Sequence, residues 1–517
     1  MSPPIRTARC ETLCELYLRS TQWCGRKDLL VDEQVRLSGI EALEHSLKVA
    51  ASLAALGARK GDVVAFLCAG SARHAAAWFG AIVSGRVPCN LHVRETPAKL
   101  AETLRWLDAR VLVYDEALAE VAIEAIERTG KPLPTLCIGN HASARRTYDE
   151  AVDGERRYEV LADLPAPDDL AAIILSSGST GQPKGVMHTQ RTLLETAKGG
   201  QYVLGQITAH DAVVILMQPS FAAWMIIALP FVGGKGKLVF GKQFVPSSFL
   251  SLIEKERITM APLVPTMWRM IFQEDTTRYD LSSLRVAGIS GEAPAEDDIA
   301  KLDSLICKNM FSAYFSSEAS TATGVQAWRH DLFMHRKAGT SGLPGVGVDL
   351  KIIDPAGSFE DEMPAGEIGE ISLSGPSLAV GYWKAPEETA ARFQNGWWRS
   401  GDLGRLDEDG CLWVMGRMDN VINTGGIKVS GEEVEKALMG HPEVIQCAVV
   451  GQPDEKFGQR IEAHLVCRKV CTAAEMEDFC RRTAGLASFK IPKVFHFVSA
   501  LPTGPTGKLY RRALRGQ

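Results

Sequence analysis

The sequence predicts an α/β protein: a large N-terminal domain of packed parallel and mixed sheets covered by helices, plus a small C-terminal α+β domain. Three observations carry this prediction. The chain has 517 residues, enough for more than one core when a domain averages roughly 150 residues. Helix-like and strand-like stretches alternate through the first 170 residues, as they do where helices cover parallel sheets. After Gly366 the texture shifts to short β-like runs with turns, and from about residue 420 to a compact α+β pattern.

In order along the chain, Ser38 to Leu56 carries apolar residues at helical spacing and stops at Gly57. Asp62–Cys68 is a short apolar run bounded by Gly61 and Gly70, which reads as a buried strand. Ala75 to Val83 reads as helix and Arg110–Tyr114 as strand. Ala171–Leu175 is a strand that ends in a glycine-rich loop, and further strands are expected at Ala212–Met217 and Lys237–Phe240. The β-like runs include Gly369–Ser374 and Gly410–Met415. The last segment reads as helix Gly431–Met439, strands Ile445–Val450 and Glu462–Cys467, and helix Ala473–Thr483. These patterns place the domains at 1–418 and 419–517.

Composition excludes several classes of function. With 46% hydrophobic residues the chain can bury a core, so it is not a disordered protein. There are 57 Lys and Arg against 62 Asp and Glu, a net charge of −5, without the basic excess of a nucleic-acid-wrapping protein. The longest uncharged stretch, Ala212 to Gly234, is broken by Pro219, Ser220 and Pro230 and reads as a buried strand and helix, not a membrane span. The N-terminus has no apolar secretory core, and the twelve cysteines show no pairing scheme. Cys10 and Cys14, like Cys467 and Cys471, have Cys-x3-Cys spacing but lack histidines at zinc-finger spacing. Reduced thiols in a cytoplasmic protein are the expectation.

The first chemical signal is the loop Ser176, Ser177, Gly178, Ser179, Thr180, Gly181, Gln182, Pro183, Lys184, Gly185. Its glycines let backbone amides converge on an anion, its hydroxyls add donors, and Lys184 adds a point charge. A Gly-Lys-Ser/Thr sequence is missing, which argues against a Walker-type ATPase.

This loop resembles the signature of the adenylate-forming superfamily: acyl-CoA synthetases, peptide-synthetase adenylation domains and beetle luciferases. Further segments resemble that family's motifs in order: Gly291-Glu292-Ala293-Pro294, Tyr314-Phe315-Ser316-Ser317-Glu318, Gly366–Glu370, Gly381-Tyr-Trp, Ser400–Leu403, Gly416–Asp419, Asn423–Gly426, Glu432–Glu435 and Pro502–Lys508. The resemblance covers essentially the whole chain and is strongest to acyl-CoA synthetases.

The resemblance implies ATP, Mg²⁺ and CoA as cofactors or co-substrates and a small-molecule carboxylic acid as substrate. The 176–185 loop would hold the β- and γ-phosphates, Ser317 would donate to the α-phosphate, and Glu318 would bind Mg²⁺. The turn Gly291–Pro294 would flank adenine and Tyr314 would stack on it. Asp402 would accept from the ribose hydroxyls, and Arg417 would touch ribose or phosphate. Lys508 would bridge the acid and the α-phosphate. Asp419 matches a hinge about which the small domain rotates, and Gly425 and Gly426 would border the thiol tunnel, with a plain loop or strand bulge as the alternative. Phe221, Ala222, Trp224, Ile289 and Phe315 fall where the family builds its acyl pocket.

Two positions depart from the family pattern. Ala222 stands where many aryl- and acyl-CoA synthetases have His, and an alanine cannot pair with the ammonium of an amino acid. Phe315 replaces a usual Gly, either capping the pocket or redirecting it alongside Ala222. The expectation is an AMP-forming acyl-CoA ligase. The alternatives are an acyl-carrier-protein ligase, an enzyme that only thioesterifies a preformed acyl-adenylate, and a catalytically dead binding module. The acyl group and the oligomeric state are not readable from the sequence.

Overall fold

The computed structural model describes residues 9–154, 161–177, 183–289, 294–320, 325–328, 337–503 and 509–515. The chain divides into two compact units. The first comprises Met1–Leu350, Leu373–Trp398 and Gly410–Leu412; the second comprises Lys351–Ser372, Arg399–Asp409 and Trp413–Gln517.

Local sequence explains the elements of the first unit. The helix Gly39–Ala55 begins at a capping box, in which Ser38 Oγ accepts from the Glu41 amide and the Glu41 carboxylate accepts from Ser38 N–H. Val63–Leu67 is buried at every position, as a strand covered on both faces must be. It lies in a parallel sheet with the order 87–90, 63–67, 111–115, 135–138, 146–147.

Among the described residues, a second sheet of nine strands has a parallel centre: 28–31, 237–240, 212–215, 260–263, 286–289 and 310–314. Antiparallel edges close it at 36–38 on one side and at 325–328 with 343–344 on the other. The uncharged stretch after Ala212 resolves into strand Ala212–Ile215 and helix Ala222–Gly234, whose Trp224–Val232 run is buried throughout. No helix among the described residues is long and apolar enough to cross a membrane.

A small antiparallel sheet orders 381–382, 183–189 and 170–177. The glycine-rich loop therefore joins two antiparallel strands, not a strand to a helix.

The second unit contains the greater part of strands Asp349–Ile353, Gly369–Ser374 and Trp397–Leu406, with Leu412–Arg417 paired to the last. Its other sheet orders 427–430, 421–424, 458–467 and 444–454, with Val494–Phe497 parallel to 458–467. Helix Gly431–Met439 packs Val434 and Leu438 into its core with Ile461, Ala463 and Leu465.

Several boundaries differ from the sequence reading, two of them for a visible reason. Strand Val444–Asp454 runs past Gly451 and Pro453 because its pairing with 458–467 continues to Asp454↔Gly458. The helix beginning at Ala473 keeps α geometry to Asp478 and then widens into a π-type turn over Phe479–Thr483. All twelve cysteines are free, most of them buried.

Candidate active site

In the first unit the site is organised by a two-residue strand. Gly381 and Tyr382 pair with Met187 and Val186, and Trp383 N–H donates to the Gly185 carbonyl at 2.7 Å. Gly381 has φ +139°, and a Cβ there would meet Thr389 Cγ2 at 2.5 Å, so only glycine fits. Thr389 Oγ1 in turn accepts from Tyr382 N–H at 2.9 Å.

The consequence lies at Tyr382. Its hydroxyl donates to Glu318 Oε1 at 3.0 Å, while Trp398 Nε1–H donates to the tyrosine oxygen at 3.4 Å. Burial and the adjacent Glu318 charge push the Tyr382 phenol well above its ordinary range.

The segment carrying Ser317 and Glu318 is tied down along its length. Ser316 Oγ accepts from the amides of Glu318 and Ala319, at 3.2 and 2.9 Å. Ala379 N–H donates to the Glu318 carbonyl at 2.9 Å. Ser320 Oγ bonds Thr196 Oγ1 at 2.6 Å and Ser377 Oγ at 2.7 Å. Buried His188 sits 2.8 Å from the Ser317 carbonyl through Nε2. A carbonyl only accepts, so Nε2 carries the proton and Nδ1 accepts from Thr192. Burial lowers the His188 pKa to about 4, which keeps the ring neutral.

Lys184 and Glu388 form an ion pair, and Lys184 Nζ lies 5.5 Å over the Tyr382 ring. Ser176 and Ser177 end the strand that pairs back onto Lys184 and Pro183. Gly178, Ser179, Thr180 and Gly181 lie outside the described residues, as do Gly291, Glu292 and Ala293. Pro294 is buried, and Tyr314 ends strand Met310–Tyr314 with Phe315 half-buried after it.

The pocket positions divide. Phe221, Ala222 and Trp224 line a cavity of about 20 Å³ together with Trp78, Asn90 and Ile173. Trp224 is wholly buried and meets Trp78 and His74 edge-on, at 5.4 and 5.3 Å. Ile289 and Phe315 do not line that cavity. Ile289 is buried at the end of strand Val286–Ile289.

The second unit holds its own cluster. Asp402 is 8% exposed, and Arg417 Nη1 approaches its Oδ1 at 3.0 Å. The Ser400-Gly-Asp segment of strand Trp397–Leu406 rests on Glu370, whose carboxylate accepts from Gly401 N–H at 2.9 Å and from Arg399 Nε at 2.7 Å. Two sequence motifs thereby become one structure.

Asp419 lies 3.9 Å from Arg417, and its carbonyl accepts from Arg515 at 2.8 Å. Beside it, Glu432 accepts from Asn420 Nδ2 at 2.6 Å, and a Cβ on Gly416 would strike the same carboxylate. Gly425 and Gly426 form the two-residue turn between strands 421–424 and 427–430, with φ +61° and +82°. Those angles alone demand glycine or a residue tolerant of left-handed geometry. Lys508 lies outside the described residues; the segment bearing it is flanked by the Thr503↔Leu509 bridge and by Tyr510 N–H donating to the Pro502 carbonyl.

Tyr382, His188, Glu388 and Glu370 were assigned no role by sequence. For Tyr382 a signal existed, since Gly381-Tyr-Trp is one of the ordered motifs.

Comparison with known proteins now separates this arrangement from a mere likeness of motifs. The family described as AMP-binding enzyme matches residues 19–383, and its C-terminal domain matches 433–508. The chain belongs to the AMP-binding enzyme family. It is therefore a nucleotide-binding, adenylate-forming ligase.

Within that family it is 32% identical to the feruloyl-CoA synthase of an Amycolatopsis species over 485 residues, covering 93% of each chain. It is 26% identical to the anthranilate CoA ligase AuaEII in complex with anthranoyl-AMP, with a TM-score of 0.85 over 97% of this chain and 96% of that one. The amide bond synthetase McbA of Marinactinospora thermotolerans, 24% identical, shares the fold with a TM-score of 0.84 over 97% of this chain and 99% of that one.

Proposed function

We propose that this AMP-binding enzyme is an acyl-CoA synthetase, converting a carboxylic acid, ATP and CoA into acyl-CoA, AMP and pyrophosphate through an acyl-adenylate. The observation that carries the reading is the Glu318 carboxylate, oriented by Tyr382 beside Ser317. The aligned feruloyl-CoA synthase supports CoA as the acceptor.

Attack of a carboxylate on the α-phosphorus brings two anions together, so the first step needs cations and preoriented donors. Ser317 supplies a hydroxyl toward the α-phosphate. Lys184 and the 176–185 amides take the β- and γ-phosphates, with Lys184 exchanging Glu388 for phosphate. Gly291–Pro294 and Tyr314 hold adenine, and Asp402 and Arg417 hold the ribose side. Lys508 neutralises the acid and the α-phosphate.

Glu318 is the residue that would hold Mg²⁺. A single oriented carboxylate beside phosphates suits that ion, which keeps most of its waters. When bound, Mg²⁺ offsets charge on the phosphate oxygens.

In the second step a thiol displaces AMP. Asp419 is the hinge between residues 1–418 and the moving segment 419–517, and Gly425 and Gly426 border the path of the thiol arm. The acid is not an amino acid, because Ala222 offers no partner for an ammonium group. Free, mostly buried cysteines support a cytoplasmic location.

The alternatives differ in acceptor or in the first step: a carrier protein, thioesterification of a preformed acyl-adenylate alone, or binding without catalysis. Acceptor competition tests the reading. CoA, a phosphopantetheinylated carrier protein and a primary amine are offered together with ATP and a panel of acids, and products are resolved by mass. Acyl-CoA is the expected main product; acyl-carrier protein or amide in excess of acyl-CoA overturns the assignment.

A further inference from the structure

The sheet of the second unit carries a cluster that adenylation does not use. Along strand 458–467, Ile461, Ala463 and Leu465 point into the apolar core. Alternation sends Glu462 and His464 to the opposite face. Strand 494–497 runs parallel alongside, and its register places His496 directly opposite His464.

Three potential ligands from two strands thus share one face. A donor atom of Glu462, one of His464 and one of His496 all lie within 4.8 Å of one another.

The chemistry of each group points the same way. Glu462 is buried, with only 4% of its surface exposed. Its Oε2 lies 2.7 Å from His496 Nε2, and its Oε1 accepts from Arg460 Nε at 2.7 Å. Arg460 therefore orients the carboxylate from behind, as an outer-shell partner orients a metal ligand.

The two imidazoles stack at 4.4 Å with an interplanar angle of 15°. Stacked rings do not both charge readily. Neutral imidazole is the form that ligates. His464 Nε2 is buried without a hydrogen-bond partner, which is unusual for a native polar atom. An ion accepted by that nitrogen would satisfy it.

We propose that Glu462, His464 and His496 form a zinc site on this face of the sheet, with water in the fourth position. Two nitrogens and one carboxylate oxygen match the borderline-soft preference of zinc, whereas Mg²⁺ prefers oxygen. Tetrahedral zinc at about 2.0–2.1 Å from each ligand holds its donors about 3.3 Å apart, so side-chain rotation opens the 2.7 Å contact between Glu462 and His496 to admit the ion. The site fastens strand 494–497, which leads into the Lys508 segment, to strand 458–467. Cys467 and Cys471 lie outside the cluster.

The test is equilibrium dialysis of the full chain against zinc with excess Mg²⁺ present, read by elemental analysis and by thermal shift. One zinc per chain is expected at micromolar free metal, with a rise in Tm. His464→Ala and His496→Gln should each weaken binding at least tenfold, while Cys467→Ser/Cys471→Ser leaves it intact. His496 is 41% exposed, so its variant decides the matter where His464→Ala does not fold. Absence of zinc uptake by the wild type, uptake unchanged in His496→Gln, or uptake lost in the thiol variant overturns the proposal.

Discussion

The hydroxyl of Tyr382 donates to the carboxylate of Glu318 at 3.0 Å. One bond thus links the strand that pairs with the hairpin of the glycine-rich loop to the segment bearing Ser317 and Glu318. Tyr382 is a positioning residue on this view, acting through Glu318.

Tyr382→Phe is accordingly expected to lower acid-dependent ATP–pyrophosphate exchange by about tenfold to a hundredfold, the range for lost outer-shell support. The concentration of Mg²⁺ giving half-maximal exchange should rise with it. Unchanged exchange at limiting Mg²⁺ would remove Tyr382 from the site.

Acid sensitivity follows from His188 and His74, both wholly buried and both lowered to about 4 by burial. The unfolded chain binds protons at these histidines near pH 6.5, before the folded chain does. Their contribution to stability is therefore complete above about pH 6.5 and is lost as pH falls toward 4. The loss amounts to about 3 kcal/mol per histidine. Urea unfolding at pH 7 and pH 5 should show a smaller difference in His188→Gln than in the wild type.

Gly426 separates turn geometry from close approach of a thiol arm. A Cβ there meets nothing within 4 Å, although φ is +82°. Asparagine tolerates left-handed geometry, so Gly426→Asn should fold and adenylate normally. If the CoA arm passes this backbone, thioester formation falls by about tenfold, a loss of about 1.4 kcal/mol of transition-state stabilisation. A thioester rate equal to that of the wild type returns the residue to a simple turn.

Phe315 is half-buried, directly after the strand that ends at Tyr314. With Phe315 as a stopper, Phe315→Gly should extend the accepted acids toward longer or bulkier chains, read as kcat/KM across a graded panel. An unchanged profile would leave selectivity to the cavity that Ala222 and Trp224 line.

Much of the architecture was legible because hydrophobic period reports local structure directly. Strands Lys237–Phe240 and Gly369–Ser374 and helix Gly431–Met439 lie where their patterns place them. Period does not report direction, so the antiparallel return of 183–189 onto 170–177 was not visible. Turn-forming residues also mislead where pairing overrides them, as at Gly451 and Pro453. Among the candidate residues, the motifs named Glu318, Asp402 and Arg417, but not the partners that hold each of them. Tyr382 is 64 residues from Glu318 in sequence, and Glu388 is 204 from Lys184. Such contacts exist only after the sheets have formed, and no local pattern encodes them.

The most direct test is product formation by the purified chain with ATP, Mg²⁺, CoA and a panel of small carboxylic acids. The account expects acyl-CoA and AMP in equal amounts for at least one acid, abolished in Lys508→Ala. Conversion of a supplied acyl-adenylate to acyl-CoA, with no AMP formed from any free acid and ATP, would contradict it.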